Sequence, residues 1–222
     1  MHKIAIMQPY LFPYIGYFQM INCVDTFVIL DDVQYIRRGW INRNNISTSN
    51  TSDEKSMFTI PVKKGARDSL IKDIEVSNEY NSWKLKFFKT LNRRYSKEVN
   101  FTNSMELIRS VLDKEYETIN EISSESIMSI SNFLDIKTDF IFSSSIPTDG
   151  KFQEKLINIC KYVGATHYIN SIGGKELYTK EEFLNHGIKL DFIKTNKPFN
   201  YFSIIDLIIR DIPFSLDDYV LE

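Results

Sequence analysis

The chain has 222 residues, 43% hydrophobic and 25% charged, a balance that excludes disordered, collagen-like and low-complexity scaffolds and suffices for a full core. With 27 basic against 29 acidic residues the net charge is −2, which leaves no global electrostatic footprint for nucleic acid or an anionic membrane. No apolar run reaches the roughly eighteen residues a membrane span needs. The N-terminus lacks a secretory apolar stretch, and Cys23 and Cys160 lie far apart like reduced core residues, so a cytoplasmic protein is expected.

Lys3–Met7 reads as a buried first strand closed by Gln8-Pro9, after which Pro9 and Pro13 impose an irregular loop. Apolar spacing over Tyr14–Val24 predicts a helix with Gly16 near its start, and Thr26–Leu30 predicts a second buried strand running into Asp31-Asp32. Strand, loop, helix and strand in this succession are the βαβ signature of a parallel sheet. Residues 33–56 turn polar and basic. Within them 47–56 carry no apolar side chain, which predicts a mobile loop that tightens as a lid over bound ligand. Met57–Val62 is expected as a third strand and 79–96, 103–121 and 123–134 as helices, with Trp83, Phe87, Leu91 and Tyr95 as a core stripe. A strand at Asp139–Ser144, a helix at Lys151–Gly164, a strand at Thr166–Ser171, a short helix at Thr179–Asn185 and a last strand at Ile188–Ile193 follow. The type of the apolar segment 202–210 stays open. Together these predict one α/β domain over 1–222, Rossmann-like, with a mostly parallel sheet flanked by helices and a helical insertion at about 79–136.

Absences narrow the chemistry. His2, His167 and His186 have no metal-ligand spacing, so no metal is expected. There is no GxSxG elbow, no GxGxxG and no P-loop, and the cofactor is unknown. Three stretches fit ligand chemistry instead. In Gln8–Tyr17 the loop after strand one opens a helix at the carboxyl end of the sheet, where α/β proteins bind ligands. Gln8, Pro9, Tyr10, Tyr14 and Tyr17 would line that site and Gly16 would let a ligand approach the backbone; an aromatic plug over the core is the alternative. In Asp31–Arg43, Asp31 and Asp32 can act as a base or orient a cation. Arg37, Arg38 and Arg43 suit phosphate, Trp40 suits stacking and Asn42 lies between them; a surface loop of Asp–Arg pairs is the alternative. In Tyr168–Tyr178, Asn170 ends a strand, Gly173-Gly174 allows a tight turn, Lys175 could reach an anion and Tyr178 follows; a plain connection would look similar. Lys63-Lys64-Gly65 reads as a solvated basic turn. Gln8, Tyr10, Tyr14 and Tyr17 are expected to share one pocket with Asp31 and Asp32.

These stretches, in this order, resemble the WbqC-like protein family of bacterial polysaccharide gene clusters. The matching residues are Ile6–Phe18, Asp31-Asp32 with Arg38–Arg43, Ile60–Val62, Ile159-Cys160, Gly164-Ala165, Tyr168–Asn170, Gly173-Gly174, Leu177-Tyr178 and Ser203–Asp206. The resemblance implies O-antigen (lipopolysaccharide) or capsule biosynthesis by a transferase. Its implied partners are a nucleotide-linked amino sugar and an acyl or aminoacyl donor, the group passing to the amine of an amino-dideoxy sugar. Asp31, Asp32 and Gln8 would then be catalytic and the arginines would hold the diphosphate. A non-catalytic nucleotide-sugar-binding accessory protein of a glycan assembly complex is the alternative, and a homo-oligomer stays open. The opening also resembles the HIGH-type nucleotidyltransferases, with Tyr14 and Tyr17 where that motif has histidines and Gly16 kept. This second resemblance implies a Rossmann-like scaffold without adenylylation chemistry.

Overall fold

The chain enters its main sheet in the middle. The computed structural model describes residues 1–48, 54–196 and 201–222. β1 (Lys3–Met7), α1 (Ile15–Asn22) and β2 (Thr26–Ile29) are followed by an antiparallel hairpin, β3 (Arg43–Ser47) and β4 (Lys55–Thr59). Three helices come next, α2 (Tyr80–Tyr95), α3 (Phe101–Leu112) and α4 (Ile119–Phe133). The rest alternates: β5 (Asp139–Phe142), α5 (Gln153–Tyr162), β6 (His167–Ser171), α6 (Lys180–Asn185), β7 (Lys189–Thr195), α7 (Ile204–Ile209) and β8 (Tyr219–Leu221).

The main sheet has the order β5-β2-β1-β6-β7-β8, parallel throughout except for β8 against β7. The chain therefore winds outward from β1 to β2 and β5, then crosses back past β1 to β6. This is the Rossmann-like, doubly wound α/β arrangement, and its winding reverses between β1 and β6. Both faces are covered, as parallel sheets require. Ala5, Phe27, Ile29, Ile169 and Ile193 face a core shared with α1, α2, α3, α4 and α7. Ile4, Ile6, Val28, Tyr168, Leu190 and Phe192 face the opposite core, built with α5 and α6. That alternation is the period of two along a strand.

Three expectations need correction. The strand placed at Met57–Val62 begins at Lys55 and ends at Thr59, and it pairs antiparallel with β3 outside the main sheet. Its partner β3 escaped notice because Arg-Asn-Asn-Ile-Ser looks like a loop, yet Asn44 and Asn45 are buried in it and the Asn44 amide donates to the Leu11 and Phe12 carbonyls. The helix expected over 103–121 stops at Leu112, and α4 starts at Ile119 behind a Thr118–Glu121 capping box. Ser47 ends β3 and Lys55 opens β4; residues 49–53, the centre of the expected lid, lie outside the described residues. The segment of open type contains α7, and the strand expected to be the last is β7, since β8 follows and pairs antiparallel with it. Among the described residues no helix is long and apolar enough to cross a membrane.

Candidate functional site

The loop after β1 is held in an unfavourable shape by three partners. Phe12 has φ 42°, the left-handed region that costs a non-glycine residue about 1–2 kcal/mol. Its N–H donates to Ser126 Oγ on α4 at 2.9 Å, and its carbonyl accepts from Asn44 Nδ2 at 2.6 Å and Ser203 Oγ at 2.7 Å. The Pro13 carbonyl accepts from the N–H of Ile204 at 2.8 Å. Leu11 and Phe12 are thereby buried as a plug, whereas Tyr10 and Tyr14 stay half-buried at the rim. The aromatic-plug reading therefore holds at Leu11 and Phe12, and the rim residues Tyr10 and Tyr14 remain partly open.

The tyrosines form one aromatic group. Tyr10 lies 6.4 Å from Tyr14, 6.1 Å from Tyr17 and 6.0 Å from Trp40, centroid to centroid. Tyr14 continues the series to Tyr201 at 5.3 Å, and Arg43 sits 5.3 Å from the Trp40 ring on the other end. Tyr17 is buried and donates its hydroxyl to the Gln8 carbonyl at 2.7 Å, while Tyr10 donates to Asn44 Oδ1 at 3.2 Å. Burial raises the phenol pKa of all three, so they act as neutral hydrogen-bonding groups and not as bases.

At one end of this series is a crevice of about 490 Å³ beside the point where the sheet reverses, lined by Tyr14, Gly16, Ser171, Gly173, Thr195 and Tyr201 among others. Gly16 is required by close approach: a Cβ there would lie 2.5 Å from Tyr14 Cε2 and 2.9 Å from Thr195 Oγ1. At the other end is a cleft of about 290 Å³ lined by Arg37, Arg38, Arg43, Lys63 and Lys64, with Tyr35 and Asn42. Arg37 Nη2 donates to the Gly65 carbonyl at 2.7 Å and so draws the basic turn against the arginine loop. Asn42 Nδ2 fixes the Ile60 carbonyl at 2.8 Å beneath it. Lys63 is paired with Glu75, but Arg38 and Lys64 make no hydrogen bond or ion pair with the described residues. Arg38 is also left-handed, φ 66°. Two unneutralised cations facing one cleft favour an anionic occupant.

Asp31 and Asp32 turn to other partners than the tyrosines. Asp31 is buried and accepts from Ser143 Oγ at 3.1 Å, Ser144 N at 3.0 Å, Ser144 Oγ at 2.8 Å and Asn120 Nδ2 at 3.3 Å. Asp32 accepts from Ser143 Oγ and is paired with Lys155 at 2.6 Å. Burial raises the pKa of Asp32, but the Lys155 ammonium and the Ser143 hydroxyl outweigh it and hold the carboxyl below its usual range.

In the third stretch Asn170 accepts from the N–H of Ser171 at 2.8 Å and packs on Gly174, where a Cβ would meet Asn170 Nδ2 at 2.8 Å and Tyr178 at 3.2 Å. Gly173 lines the crevice, while Lys175 points away into an ion pair with Glu222 at 2.8 Å. Sequence reasoning missed Lys63 and Lys64 as part of the cleft, and Ser171, Thr195, Asn196 and Tyr201 as crevice residues. It also missed Asp206, which accepts from Tyr95 Oη at 2.5 Å and from Ser47 N at 2.6 Å and ties α7 to α2 and β3. Asp206 carried a signal as an acid inside an otherwise apolar run, Lys63-Lys64 as a basic turn and Ser171 as part of the Tyr168–Tyr178 stretch.

A doubly wound α/β protein with an aromatic series running from a switch-point crevice to a cationic cleft is the class that fold and geometry define. The chain belongs to the WbqC-like protein family, whose model matches residues 8–213. It is 29% identical over 186 residues to the Uncharacterized protein Rv1507c of Mycobacterium tuberculosis, a match that covers 82% of this chain and 78% of that one. No solved structure matches it.

Proposed function

We propose that the protein is a bacterial surface-polysaccharide biosynthesis enzyme that transfers an acyl or aminoacyl group to the amine of a nucleotide-linked amino-dideoxy sugar. Family membership supports the O-antigen or capsule setting. The observation that carries the ligand assignment is Arg38, held left-handed and unpaired beside Lys64 in a cleft lined by five cations. In this reading the diphosphate lies on Arg38, Lys64 and Arg43, and the sugar lies along Tyr10 and Trp40. The amine nitrogen attacks the acyl carbon, a C–N bond forms, and the donor's leaving group departs with the electrons of the broken bond. Asp32 takes the proton released from nitrogen, Gln8 orients the reacting group, and Asp31 holds the strand end.

One observation favours the second reading, binding without catalysis. Asp32 is already neutralised by Lys155, and a carboxylate held below its usual pKa is a weak proton acceptor. Mass spectrometry decides between the two. The purified protein is incubated with a nucleotide-linked 4-amino-4,6-dideoxy sugar and a panel of acyl and aminoacyl donors. An amide product that disappears in Arg38→Ala supports the enzyme. Binding with no product under any donor supports the accessory role, and neither binding nor product contradicts both.

A further inference from the structure

We infer that the crevice between the first turn of α1 and the carboxyl ends of β6 and β7 is a nucleoside subsite, separate from the cationic cleft, that takes the base and ribose of the nucleotide. This rests on the nucleotide-sugar reading above and divides the ligand between two lobes.

Position is the first argument. In a doubly wound sheet the connections leave in opposite directions at the reversal and open a crevice outside the carboxyl ends, here beside β1 and β6. At about 490 Å³ it falls within the range that holds a small organic ligand. Its wall is the second. Tyr201 stands edge-on to Tyr14 at 5.3 Å with 66% of its surface exposed, so a ring face is open to a planar base. Tyr14 is turned toward this wall because Gly16 leaves no Cβ in its way.

The polar groups are the third argument. Ser171 and Thr195 line the crevice from the ends of β6 and β7, and their hydroxyls have no hydrogen-bond partner among the described residues. Two such hydroxyls match the paired donors and acceptors of a ribose and a base edge. Charge is the fourth. Lys194 is the cation in the crevice lining, and it faces Glu222 at 3.9 Å, whereas the cleft collects five cations. A neutral half of the ligand therefore suits the crevice and a diphosphate suits the cleft, with Tyr14, Tyr10 and Trp40 bridging the two.

Splitting the ligand into two probes tests this. The intact protein is titrated calorimetrically with free nucleosides (uridine, thymidine, adenosine, guanosine) and, separately, with pyrophosphate. At least one nucleoside should bind wild type, and Tyr201→Ala and a Ser171→Ala/Thr195→Val double variant should each weaken it about tenfold or more, the scale of losing one base–aromatic stack. Arg38→Ala should leave nucleoside binding within about twofold while weakening pyrophosphate about tenfold. Nucleoside binding that is insensitive to both crevice variants, or no nucleoside binding while pyrophosphate still binds, would overturn the subsite and spare the cleft. Loss of pyrophosphate binding with nucleoside binding intact would instead strike at the diphosphate reading.

Discussion

The side-chain amide of Asn44 donates a 2.6 Å hydrogen bond to the Phe12 carbonyl oxygen, so the small hairpin holds the loop after β1 in its left-handed turn. The same amide reaches the Leu11 carbonyl at 3.2 Å, and Asn44 Oδ1 accepts the Tyr10 hydroxyl. One fully buried side chain thus fixes both the plug and the rim of the aromatic group.

Asn44→Ala should therefore destabilise the fold by about 2–4 kcal/mol, because it removes the partner of the Leu11 carbonyl and of the Tyr10 hydroxyl and one of the three supports of a strained turn. Asn44→Asp should also destabilise, since a carboxylate would face the Leu11 and Phe12 carbonyls without a proton to donate. Urea unfolding midpoints read both effects. A midpoint unchanged in Asn44→Ala would show that Ser126 and Ser203 alone hold the turn.

Arg38→Ala should weaken binding of a nucleoside diphosphate sugar by about 1.5–3 kcal/mol, the scale of a charge-assisted contact. Lys64→Ala should act in the same direction and lessen the dependence of affinity on salt. Titration at two ionic strengths measures both. Wild-type affinity in both variants would remove the cleft from the ligand's path.

Gly16→Ala separates binding from stability. The added methyl would lie within 3 Å of Tyr14 and Thr195 and displace the ring that walls the crevice. Alanine's helix propensity, better by about 1 kcal/mol, offsets part of the strain. Nucleotide affinity should fall several-fold more than thermal stability does, as calorimetry against a melting curve would read; equal affinity would mean that Tyr14 does not shape the crevice.

Asp206 gives a pH signature. Burial raises its pKa above the ordinary 3.8, although Tyr95, the Ser47 N–H and Arg210 pull the other way. A folded-state pKa above the unfolded one means that the native state binds more protons in the interval between them. The contribution of Asp206 is then full below pH 3.8 and is lost as pH rises through its folded pKa. In Asp206→Asn that slope disappears, since the amide can still accept from Ser47 N and donate to the Tyr95 oxygen. Unfolding free energies between acid and neutral pH should show wild type losing ground against the variant as pH rises. The opposite trend would contradict the raised pKa.

The parallel strands of the main sheet were legible because they are short apolar runs between punctuating Gln-Pro, Asp-Asp and Gly residues, and a strand buried on both faces looks like that; the largely exposed antiparallel strand β8 was not. The hairpin was not, because buried Asn44 satisfies its amide on the Leu11 and Phe12 carbonyls, which sequence cannot place beside it. The break before α4 was readable in Thr118-x-x-Glu121, and apolar periodicity running through it masked the cap. In the site, Tyr10, Tyr14, Tyr17 and the arginines could be singled out locally. Lys64 stood out only as part of a basic turn, and Thr195 and Tyr201 not at all, since only the tertiary fold brings them to the cleft and the crevice. The expectation that Asp31 and Asp32 join the tyrosines followed from adjacent strand ends, which do adjoin, with Met7 opposite Ile29. Ser143, Ser144, Asn120 and Lys155 reach those carboxylates from the turn after β5, from α4 and from α5, which no spacing near Asp31 announces.

A crystal structure of the protein with a nucleoside diphosphate sugar tests the central claim most directly. The diphosphate should lie within hydrogen-bonding distance of Arg38 and Lys64, with the base against Tyr201 and the sugar between Tyr10 and Trp40. A ligand bound elsewhere, such as in the groove between α5 and α6 lined by Glu154, Lys161 and Glu182, would contradict it.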